Sequence, residues 1–412
     1  MGRLTLKNLI PIFFLLFYVG FPEVSLSTTL KSLINEQVSR SPNLGMYVKN
    51  LTTGEVIASY NSNQLFIPAS NQKIITTLGS LHFLGKDYRF KTIFFMAVKK
   101  NQTGIYNQDL YIDTKGDPTL KTDDLIKVVS YLRDRDVKVI NGDIVLNDNY
   151  FEKPYYNPNW KKSWKGVAWA PYISSIAIND NLYSSKNNVY LTDNPLYLLG
   201  VKFKKELRRQ QIRFNGTVRF AKIPISKKLT PFKIKYEIQS ARLGDIVEII
   251  NKTSNNLYAE HLFKKLSANF SRVRGSWQDS QIIFADFLTR NVDLNTRDFN
   301  INDGSGLSSK NKISTKGMVK ILEFATKQDY FYDFYESLPV AGLDGTLIKR
   351  FKTYPLYKNL KAKTGYIRGV SSLSGYFNGK DNDVYAFSFI VNNYNFSIRL
   401  FIDQVLSKIY YL

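Results

Sequence analysis

The chain has 412 residues, of which 44% are hydrophobic and 22% charged, so it is long enough for two domains with ordinary globular cores. It has no cysteine and two histidines, His82 and His261, which excludes disulfides, almost excludes zinc sites built on Cys or several His, and leaves only these two for a Ser-His-Asp triad. The net charge of +23 favours a polyanionic partner, which could be nucleic acid, anionic lipid headgroups or an acidic cell-wall polymer.

The N-terminus has the pattern of a secretory signal peptide over residues 1–27. Arg3 and Lys7 precede an apolar run at 9–19, and small residues favour cleavage after Ser27. The run is short for a membrane span, although an uncleaved anchor is the alternative. We therefore expect export to the periplasm or cell envelope, which makes nucleic acid an unsuitable partner.

The rest of the chain predicts helices and strands around a β-rich middle. In chain order the predicted elements are a helix over 28–39, a hairpin over 44–60, a helix from Ser70 to residue 83, mostly strands over 88–235 with helices at 123–133 and 196–210, helices over 243–250 and 257–268, strands over 363–391 and a helix over 396–411.

Ser70 and Lys73 lie three residues apart at the start of a predicted helix, which puts both side chains on one face. A serine nucleophile needs an adjacent base, and a lysine serves as that base when burial or a second cation such as Lys363 lowers its pKa. Free N–H groups at the helix start would favour the negative charge that develops on a substrate oxygen. The pair alone is weak evidence, because Ser309 and Lys312 have the same spacing.

Two later segments carry complementary groups. In Ser254-Asn255-Asn256, the first residue could pass protons and the last could hold a substrate amide, or the triplet could simply cap a helix. Lys363-Thr364-Gly365 offers a cation for a carboxylate, a hydroxyl, and a glycine that lets a substrate backbone approach; the alternative is a plain edge strand. In this order, the three segments are typical of serine enzymes that react with penicillin.

Longer segments resemble the penicillin-binding D-alanyl-D-alanine carboxypeptidases of the peptidase S13 family, the low-molecular-mass class C type. The resemblance runs from about Ser39 to the C-terminus. The segments that carry it are residues 68–73, 115–120 with a Gly-Asp-Pro loop, 303–308 with Asp-Gly-Ser-Gly-Leu-Ser, 338–347 and 362–365.

The resemblance implies roles for the first two motifs. Ser70 would be the acylated nucleophile and Lys73 its general base, while Ser254 and Asn256 would assist proton transfer and position the peptide. Asn255 stands where the family often has Asp, at a position that is not expected to be catalytic.

It also implies roles for the third motif. Lys363 and Thr364 would hold the terminal carboxylate beside Gly365, and the backbone N–H groups of Ser70 and Tyr366 would form the oxyanion hole. Tyr366 replaces the usual small residue, so the pocket mouth is expected to be narrower.

A last pair is expected to select the substrate. Asp117 is fixed in the Gly-Asp-Pro loop, and Arg350 follows residues 345–347 at helical spacing. Facing one cleft, they would bind the amine and carboxylate of a diaminopimelate-type side chain. The alternative is that Asp117 only stabilises its turn and Arg350 is solvated.

The predicted fold is mixed α/β (α+β). A transpeptidase/β-lactamase-like domain, with an antiparallel sheet from residues 44–60 and 363–391 and terminal helices on one face, is interrupted by a β-rich insert. We predict a signal peptide at 1–27, a catalytic domain from 28–88 and 236–412, and the inserted domain at 89–235. The further domain that the family commonly nests inside the insert has no room here.

The implied function is a serine-type D-alanyl-D-alanine carboxypeptidase acting on peptidoglycan stem peptides through an acyl-enzyme, with endopeptidase action on cross-links as an addition. The expected partners are the peptide substrate, β-lactams as covalent inhibitors, and peripheral contact with anionic envelope surfaces. No metal, cofactor or nucleic acid is implied. The alternatives are a β-lactamase or esterase on the same fold and a non-catalytic cell-wall-binding protein.

Overall fold

The computed structural model describes residues 43–97, 104–223, 234–270, 274–394 and 398–412. The predicted signal peptide and the predicted helix at 28–39 lie outside these residues. Within the described ranges, no helix has both the length and the apolar character needed to cross a bilayer.

The predicted helices that fall within the described residues all have counterparts there. The helices are α1 Gln72–Leu84, α2 Thr122–Arg133, α3 Pro195–Arg209, α4 Leu243–Thr253, α5 Asn256–Phe270, α6 Trp277–Asp286, α7 Thr315–Ala325, α8 Phe331–Ser337 and α9 Ile398–Ile409. The strands are β1 Leu44–Asn50, β2 Val56–Tyr60, β3 Leu65–Phe66, β4 Lys91–Met96, β5 Ile105–Tyr106, β6 Leu110–Asp113, β7 Val139–Ile140, β8 Ile144–Leu146, β9 Leu182–Ser185, β10 Asn188–Leu191, β11 Arg213–Phe214, β12 Val218–Phe220, β13 Ile234–Gln239, β14 Phe299–Asn300, β15 Lys312–Ser314, β16 Lys361–Ile367, β17 Val370–Asn378 and β18 Val384–Asn392.

The predicted antiparallel sheet is confirmed, in the order β16-β17-β18-β1-β2. Strand β18 is buried along almost its whole length because both faces of the sheet are covered. Phe401 and Val405 of α9 pack on one face with Phe389, and Ile390 faces the opposite core. The sheet is therefore the middle layer of three, and it fixes the position of β16.

A second five-stranded sheet, in the order β12-β8-β6-β4-β13, has all its strands between Lys91 and Gln239. Strand β8 runs parallel to β6 and β12, whereas β4 runs antiparallel to β6 and β13. Helices α2 and α3 share a core with this sheet. Because β13 pairs with β4 as far as Gln239, we propose that the inserted domain ends near that residue, slightly beyond 235.

Helix α5 joins the two parts of the molecule. Its buried side chains bond to the backbone of the segment between α1 and α4: Lys264 Nζ donates to the Glu152 carbonyl at 2.8 Å, and His261 Nδ1 lies 2.9 Å from the Gly116 carbonyl. Lys265 Nζ donates to the Tyr150 hydroxyl at 2.6 Å. Because these polar side chains of α5 are buried, their hydrogen bonds hold the helix in place together with its apolar packing.

Candidate active site

Ser70 lies in a short 3₁₀ turn, Ala69–Asn71, directly before α1. The α-helix therefore begins two residues after the predicted start. Ala69 has a left-handed backbone with φ of +47° and is fully buried, so the turn is strained and enclosed. Ser70 Oγ accepts a hydrogen bond from Lys73 Nζ at 3.1 Å, as the spacing of the two residues predicted.

Lys73 is a fully buried amine. Besides Ser70, its Nζ donates to Asn256 Oδ1 at 2.5 Å and to the Ser305 carbonyl at 2.6 Å. Burial lowers the pKa of Lys73 to about 7, against the opposing charges of Asp303 and Glu260. A substantial fraction of this amine is therefore uncharged near neutral pH, which is the state that accepts a proton.

Lys363 reaches the same place from β16 and is also fully buried. Its Nζ donates to Ser254 Oγ at 3.0 Å and to the Thr364 carbonyl at 2.9 Å. Burial, together with the charge of Lys73, lowers the pKa of Lys363 well below its usual range. The charge of Lys73 thus disfavours the charged form of Lys363.

The 254–256 triplet combines the two functions that sequence alone left open. Asn255 Oδ1 accepts from the Tyr258 N–H at 3.0 Å, so this residue caps α5. Ser254, with φ of +57°, ends α4 and bonds to Lys363, whereas Asn256 bonds to Lys73. The Asn256 amide also donates to the Trp169 carbonyl at 2.6 Å, which ties the site to the segment between α1 and α4.

The segment at residues 303–308 also belongs to the site, although sequence analysis used it only as a family marker. Its Ser305 carbonyl is a partner of Lys73. Gly306 has φ of +87°, and a Cβ there would lie 1.8 Å from the Ala69 carbonyl oxygen. Only glycine allows the segment to pass this close to the nucleophile turn.

Two buried carboxylates hold that segment in place. Asp303 accepts from the backbone N–H groups of Gly306 at 2.8 Å and Ser308 at 2.7 Å. Glu260 of α5 accepts from the Ser305 N–H at 2.7 Å, and burial raises the pKa of Glu260 to about 7. The Asp-Gly-Ser-Gly pattern was the only sequence signal for this support, and nothing in the sequence pointed to Glu260.

Strand β16 passes directly beside the nucleophile. A Cβ on Gly365 would lie 2.1 Å from Ser372 Oγ and 3.0 Å from the Ser70 nitrogen. The Asn71 amide donates to the Lys363 carbonyl at 2.8 Å. These contacts fix the strand against the turn and leave no room for a side chain at position 365.

These groups open into a cleft of about 440 Å³. It is lined by Ser70, Ser254, Asn256, Trp164, Trp169, Leu307, Tyr366, Ile367 and Arg368. The Trp164 and Trp169 rings meet edge to face with centroids 4.9 Å apart, and Tyr366 is 59% exposed. Three of the lining side chains are therefore aromatic, and Trp164 and Trp169 were not among the predicted site residues.

The structure does not bring Asp117 and Arg350 together, and this part of the sequence prediction needs correction. Asp117 is only 1% exposed, because its carboxylate turns inward to accept bonds from Thr119 and Thr92. Arg350 instead forms an ion pair with Asp403 of α9. A buried, internally bonded carboxylate does not face a substrate side chain.

The two histidines have partners away from Ser70. The ring of His261 is bonded to Gly116, and burial lowers its pKa to about 4. His82 lies 3.3 Å from the Tyr330 hydroxyl and packs among aromatic rings. The titratable side chain that contacts Ser70 Oγ is Lys73.

Comparisons with known proteins identify the family of the chain. The model of the D-Ala-D-Ala carboxypeptidase 3 (S13) family matches residues 26–190 and 185–406. The chain is 24% identical to a D-alanyl-D-alanine carboxypeptidase DacB from Haemophilus influenzae, covering 88% of each chain. It is 25% identical to a D-alanyl-D-alanine carboxypeptidase from an Actinomadura strain, covering 85% of this chain and 77% of that one.

Solved structures show the same fold. Penicillin-binding protein 4 (dacB) from H. influenzae superposes with a TM-score of 0.83 at 22% identity, covering 92% of this chain and 99% of that one. A predatory endopeptidase from Bdellovibrio bacteriovorus superposes with a TM-score of 0.59 at 18% identity, covering 88% and 90%. The match of the family model over nearly the whole chain shows that this protein belongs to the D-Ala-D-Ala carboxypeptidase 3 (S13) family.

Proposed function

We propose that the protein cleaves the D-Ala-D-Ala bond of peptidoglycan stem peptides through an acyl-enzyme on Ser70. The observation that carries the proposal is the contact of Ser70 Oγ with Lys73 Nζ at 3.1 Å, in a site where burial lowers the pKa of that amine to about 7. The family match identifies the scissile bond, and the geometry supports these two residues as nucleophile and base.

The reaction would run in two steps. In the first, Ser70 Oγ attacks the carbonyl carbon while its proton passes to the neutral amine of Lys73. The backbone N–H groups of Ser70 and Tyr366 would bind the oxyanion. The C–N bond then breaks, the leaving nitrogen takes the proton that Lys73 accepted, relayed through Ser254, and D-alanine departs with Lys73 neutral again. In the second step, water gives a proton to Lys73 and attacks the ester, and Lys73 returns that proton to Ser70 Oγ as the shortened peptide leaves with a free carboxyl group.

The test is intact mass spectrometry after incubation with benzylpenicillin, followed by peptide mapping. We expect one adduct, on Ser70, and none on the Ser70→Ala variant. Ser309→Ala is the matched control, because Ser309 has a lysine at the same spacing but lies exposed outside the site. An adduct that survives Ser70→Ala would show that the nucleophile is a different residue.

The same experiment separates the alternatives. A β-lactamase would deacylate quickly and accumulate hydrolysed penicillin, whereas a carboxypeptidase holds the adduct and is inhibited. A non-catalytic wall-binding protein would form no adduct. Two buried lysines placed around a serine favour catalysis, because burying amines is costly without a use for them.

Endopeptidase action is a finer proposal, and the fold shared with a protein described as a predatory endopeptidase supports it. Release of monomers from a purified cross-linked muropeptide dimer measures it.

We also propose export with a mature N-terminus near Thr28, together with peripheral contact between the basic surface and anionic envelope material. N-terminal sequencing of the protein from the envelope fraction tests the cleavage; a full-length chain retained in the membrane would indicate an anchor instead.

A further inference from the structure

The exposed face of α3 is strongly basic. Residues 196–214 contain six lysines and arginines and a single acid, Glu206. Glu206 is only 4% exposed and accepts from Arg209 and Gln210, so it offsets Arg209 and leaves the other cations without a counter-charge on this helix. Burial, together with the charge of Lys205, lowers the pKa of Lys202. No residue of α3 lines the catalytic cleft, so the chemistry at the nucleophile makes no use of this charge.

Helical periodicity brings two kinds of side chain to this face. Tyr197, Val201, Lys204 and Arg208 follow one another at intervals of three or four residues, and all four are exposed. Tyr197 is 62% exposed and Val201 is 43% exposed. The face that carries Phe203 is instead buried in the core that α3 shares with the second sheet. The outer face of α3 is therefore apolar in its first turns and basic in its last turns.

A groove of about 400 Å³ adjoins the basic end of this face. It is lined by Lys204, Arg208, Gln211, Ile212, Arg213 and Phe214. The Lys204 ammonium lies 5.6 Å from the centre of the Phe214 ring. Among the residues that the structure describes, no carboxylate lines the groove or forms an ion pair with Lys204, Arg208 or Arg213. Three cations therefore surround the groove without a protein counter-charge.

The groups in the groove are those that bind phosphate esters. A guanidinium binds two phosphate oxygens at once, and a lysine adds a point charge. Ile212 and Phe214 provide apolar surface for the carbon atoms of an ester.

The exposed Tyr197 and Val201 indicate the source of the phosphate. A soluble anion would contact only the cations, whereas a phospholipid surface contacts both kinds of side chain. Apolar and aromatic side chains enter the interface of a bilayer while lysines and arginines stay at the level of the headgroups.

We propose that the outer face of α3 and the adjoining groove dock the protein on an anionic phospholipid surface. Lys204, Arg208 and Arg213 would contact the phosphate groups, and Tyr197 and Val201 would enter the interface. The inference rests on the proposed export and gives a place to the peripheral contact proposed with it. Because no residue of α3 lines the catalytic cleft, this contact does not occupy the cleft.

The test is co-sedimentation of the purified full chain with phospholipid vesicles. Vesicles of phosphatidylglycerol mixed with phosphatidylcholine carry the anionic headgroup, and vesicles of phosphatidylcholine alone are the neutral reference. We expect the wild type to bind the mixed vesicles and to lose binding as salt is added, because salt screens exposed charges. The combined variant Lys204→Gln, Arg208→Gln and Arg213→Gln should lower the partition coefficient at least about tenfold, since each cation near an anionic surface adds to binding.

Two further variants make the result specific. Arg290→Gln, Arg297→Gln and Lys327→Gln together remove the same charge from exposed positions outside α3 and should keep the parental binding. Tyr197→Ser with Val201→Ser keeps every charge and should weaken binding to mixed vesicles, while binding of soluble polyphosphate stays at the parental level. Thermal unfolding of each variant shows that it is folded.

The outcomes are distinguishable. Equal vesicle binding by the wild type and the α3 charge variant overturns this inference. An equal loss in the charge-matched control also overturns it, since total charge would then be responsible. Parental vesicle binding after Tyr197→Ser with Val201→Ser would indicate a soluble polyanion as the partner and would overturn it too. A wild type that binds vesicles as expected but forms no benzylpenicillin adduct overturns the proposed catalysis and supports this inference.

Discussion

At the scale of single residues, Lys73 depends most on its surroundings. Its three hydrogen-bond partners are neutral oxygens, from Ser70, Asn256 and the Ser305 backbone. None of them supplies the negative charge that would offset the cost of burying an ammonium ion. The neutral amine is therefore favoured, and burial overcomes the more distant attraction of Asp303 and Glu260.

We predict that the rate of acylation by benzylpenicillin rises with pH through about 7 and then levels off. The pKa of Lys73 is lowered to about 7, and the proton-accepting form is the one that grows as pH increases. Lys73→Arg should lower the acylation rate about a thousandfold, because a guanidinium stays charged at every accessible pH. Stopped-flow measurements between pH 5.5 and 9 give both results.

Lys361→Arg is the control, since Lys361 lies on the same strand as Lys363 but pairs with Glu336 near the surface. An arginine at position 73 that retains most of the parental rate would mean that Lys73 contributes only a positive charge.

The spacing of Ser70 and Lys73 was sufficient to predict their contact, but their chemistry was not visible in sequence. The pKa of Lys73 is set by burial under a segment more than two hundred residues away, around Ser305. Asp117 shows the opposite case, where the turn was predictable and the direction of the carboxylate was not. Thr92 of β4 and Thr119 both donate to that carboxylate and hold it inward.

At the scale of elements, two short irregular segments meet back to back: the turn Ala69–Asn71 and the segment at 303–308. Both have residues with left-handed backbone, Ala69 and Gly306. Their contact places the Ser305 carbonyl within hydrogen-bond distance of Lys73 Nζ. It also holds Ser70 directly before the start of α1. Helices and strands pack around this contact, but the two irregular segments themselves make it.

We predict that Gly306→Ala reduces penicillin acylation at least a hundredfold. A Cβ at this position would lie 1.8 Å from the Ala69 carbonyl oxygen, so the nucleophile turn must move. Gly54→Ala is a matched control, because Gly54 has a similar φ of +82° but nothing within 4 Å of the added carbon. Gly54→Ala should lose about 1 kcal/mol of stability to backbone strain, and Gly306→Ala should lose more because its Cβ also meets a backbone oxygen; denaturant unfolding measures both.

Comparing the two variants separates the effect of the close contact with Ala69 from the effect of backbone strain. Parental acylation in Gly306→Ala would show that the turn tolerates displacement and that the close approach is not required.

Hydrophobic periodicity predicted most helices and the β1–β2 hairpin, because the spacing of apolar residues in these elements is visible within a short stretch of sequence. The pairing of β8 with β6 and β12 was not predictable, since parallel neighbours are joined through long connections and leave no local signal. The start of α1 was predicted two residues early, because the Pro68-Ala69 lead favours a turn whose length depends on its contact with Gly306.

At the scale of the whole molecule, buried amines of α5 bond to the segment between α1 and α4. Burial lowers the pKa of Lys264 to about 7 and that of Lys265 to about 8. In the unfolded chain these groups titrate near 10.4. Between those values the unfolded chain binds more protons, so the free energy of unfolding increases with pH.

We predict that the melting temperature rises between pH 7 and pH 9. Lys264→Met should flatten that rise, because it removes one of the groups that titrate differently in the two states. Lys310→Met removes the same charge from an exposed loop and should leave the slope as in the parent. Differential scanning calorimetry over this pH range, at constant ionic strength, measures the three slopes. Equal slopes in the two variants would contradict a role for buried Lys264.

The insert stays a prediction at this scale, made because the motifs near residues 70 and 254 must share one site. The contacts that α5 makes with the segment between α1 and α4 were not predictable, since Lys264 and Lys265 look in sequence like ordinary surface residues of an amphipathic helix. Their backbone partners, such as the Glu152 carbonyl, have no sequence signature at all.

The strand order of the first sheet has a consequence for how the chain becomes active during its synthesis. Strand β1 lies between β2 and β18, with Leu44 opposite Val391, so one of its edges stays unpaired until the C-terminal strands emerge. The same late strands bring Lys363 and Gly365 to Ser70. Long-range pairing of this kind is slow to form and cannot begin early. A nascent chain can therefore present its serine turn, but it cannot attack a peptide bond until the last strands have been made and folded onto the first.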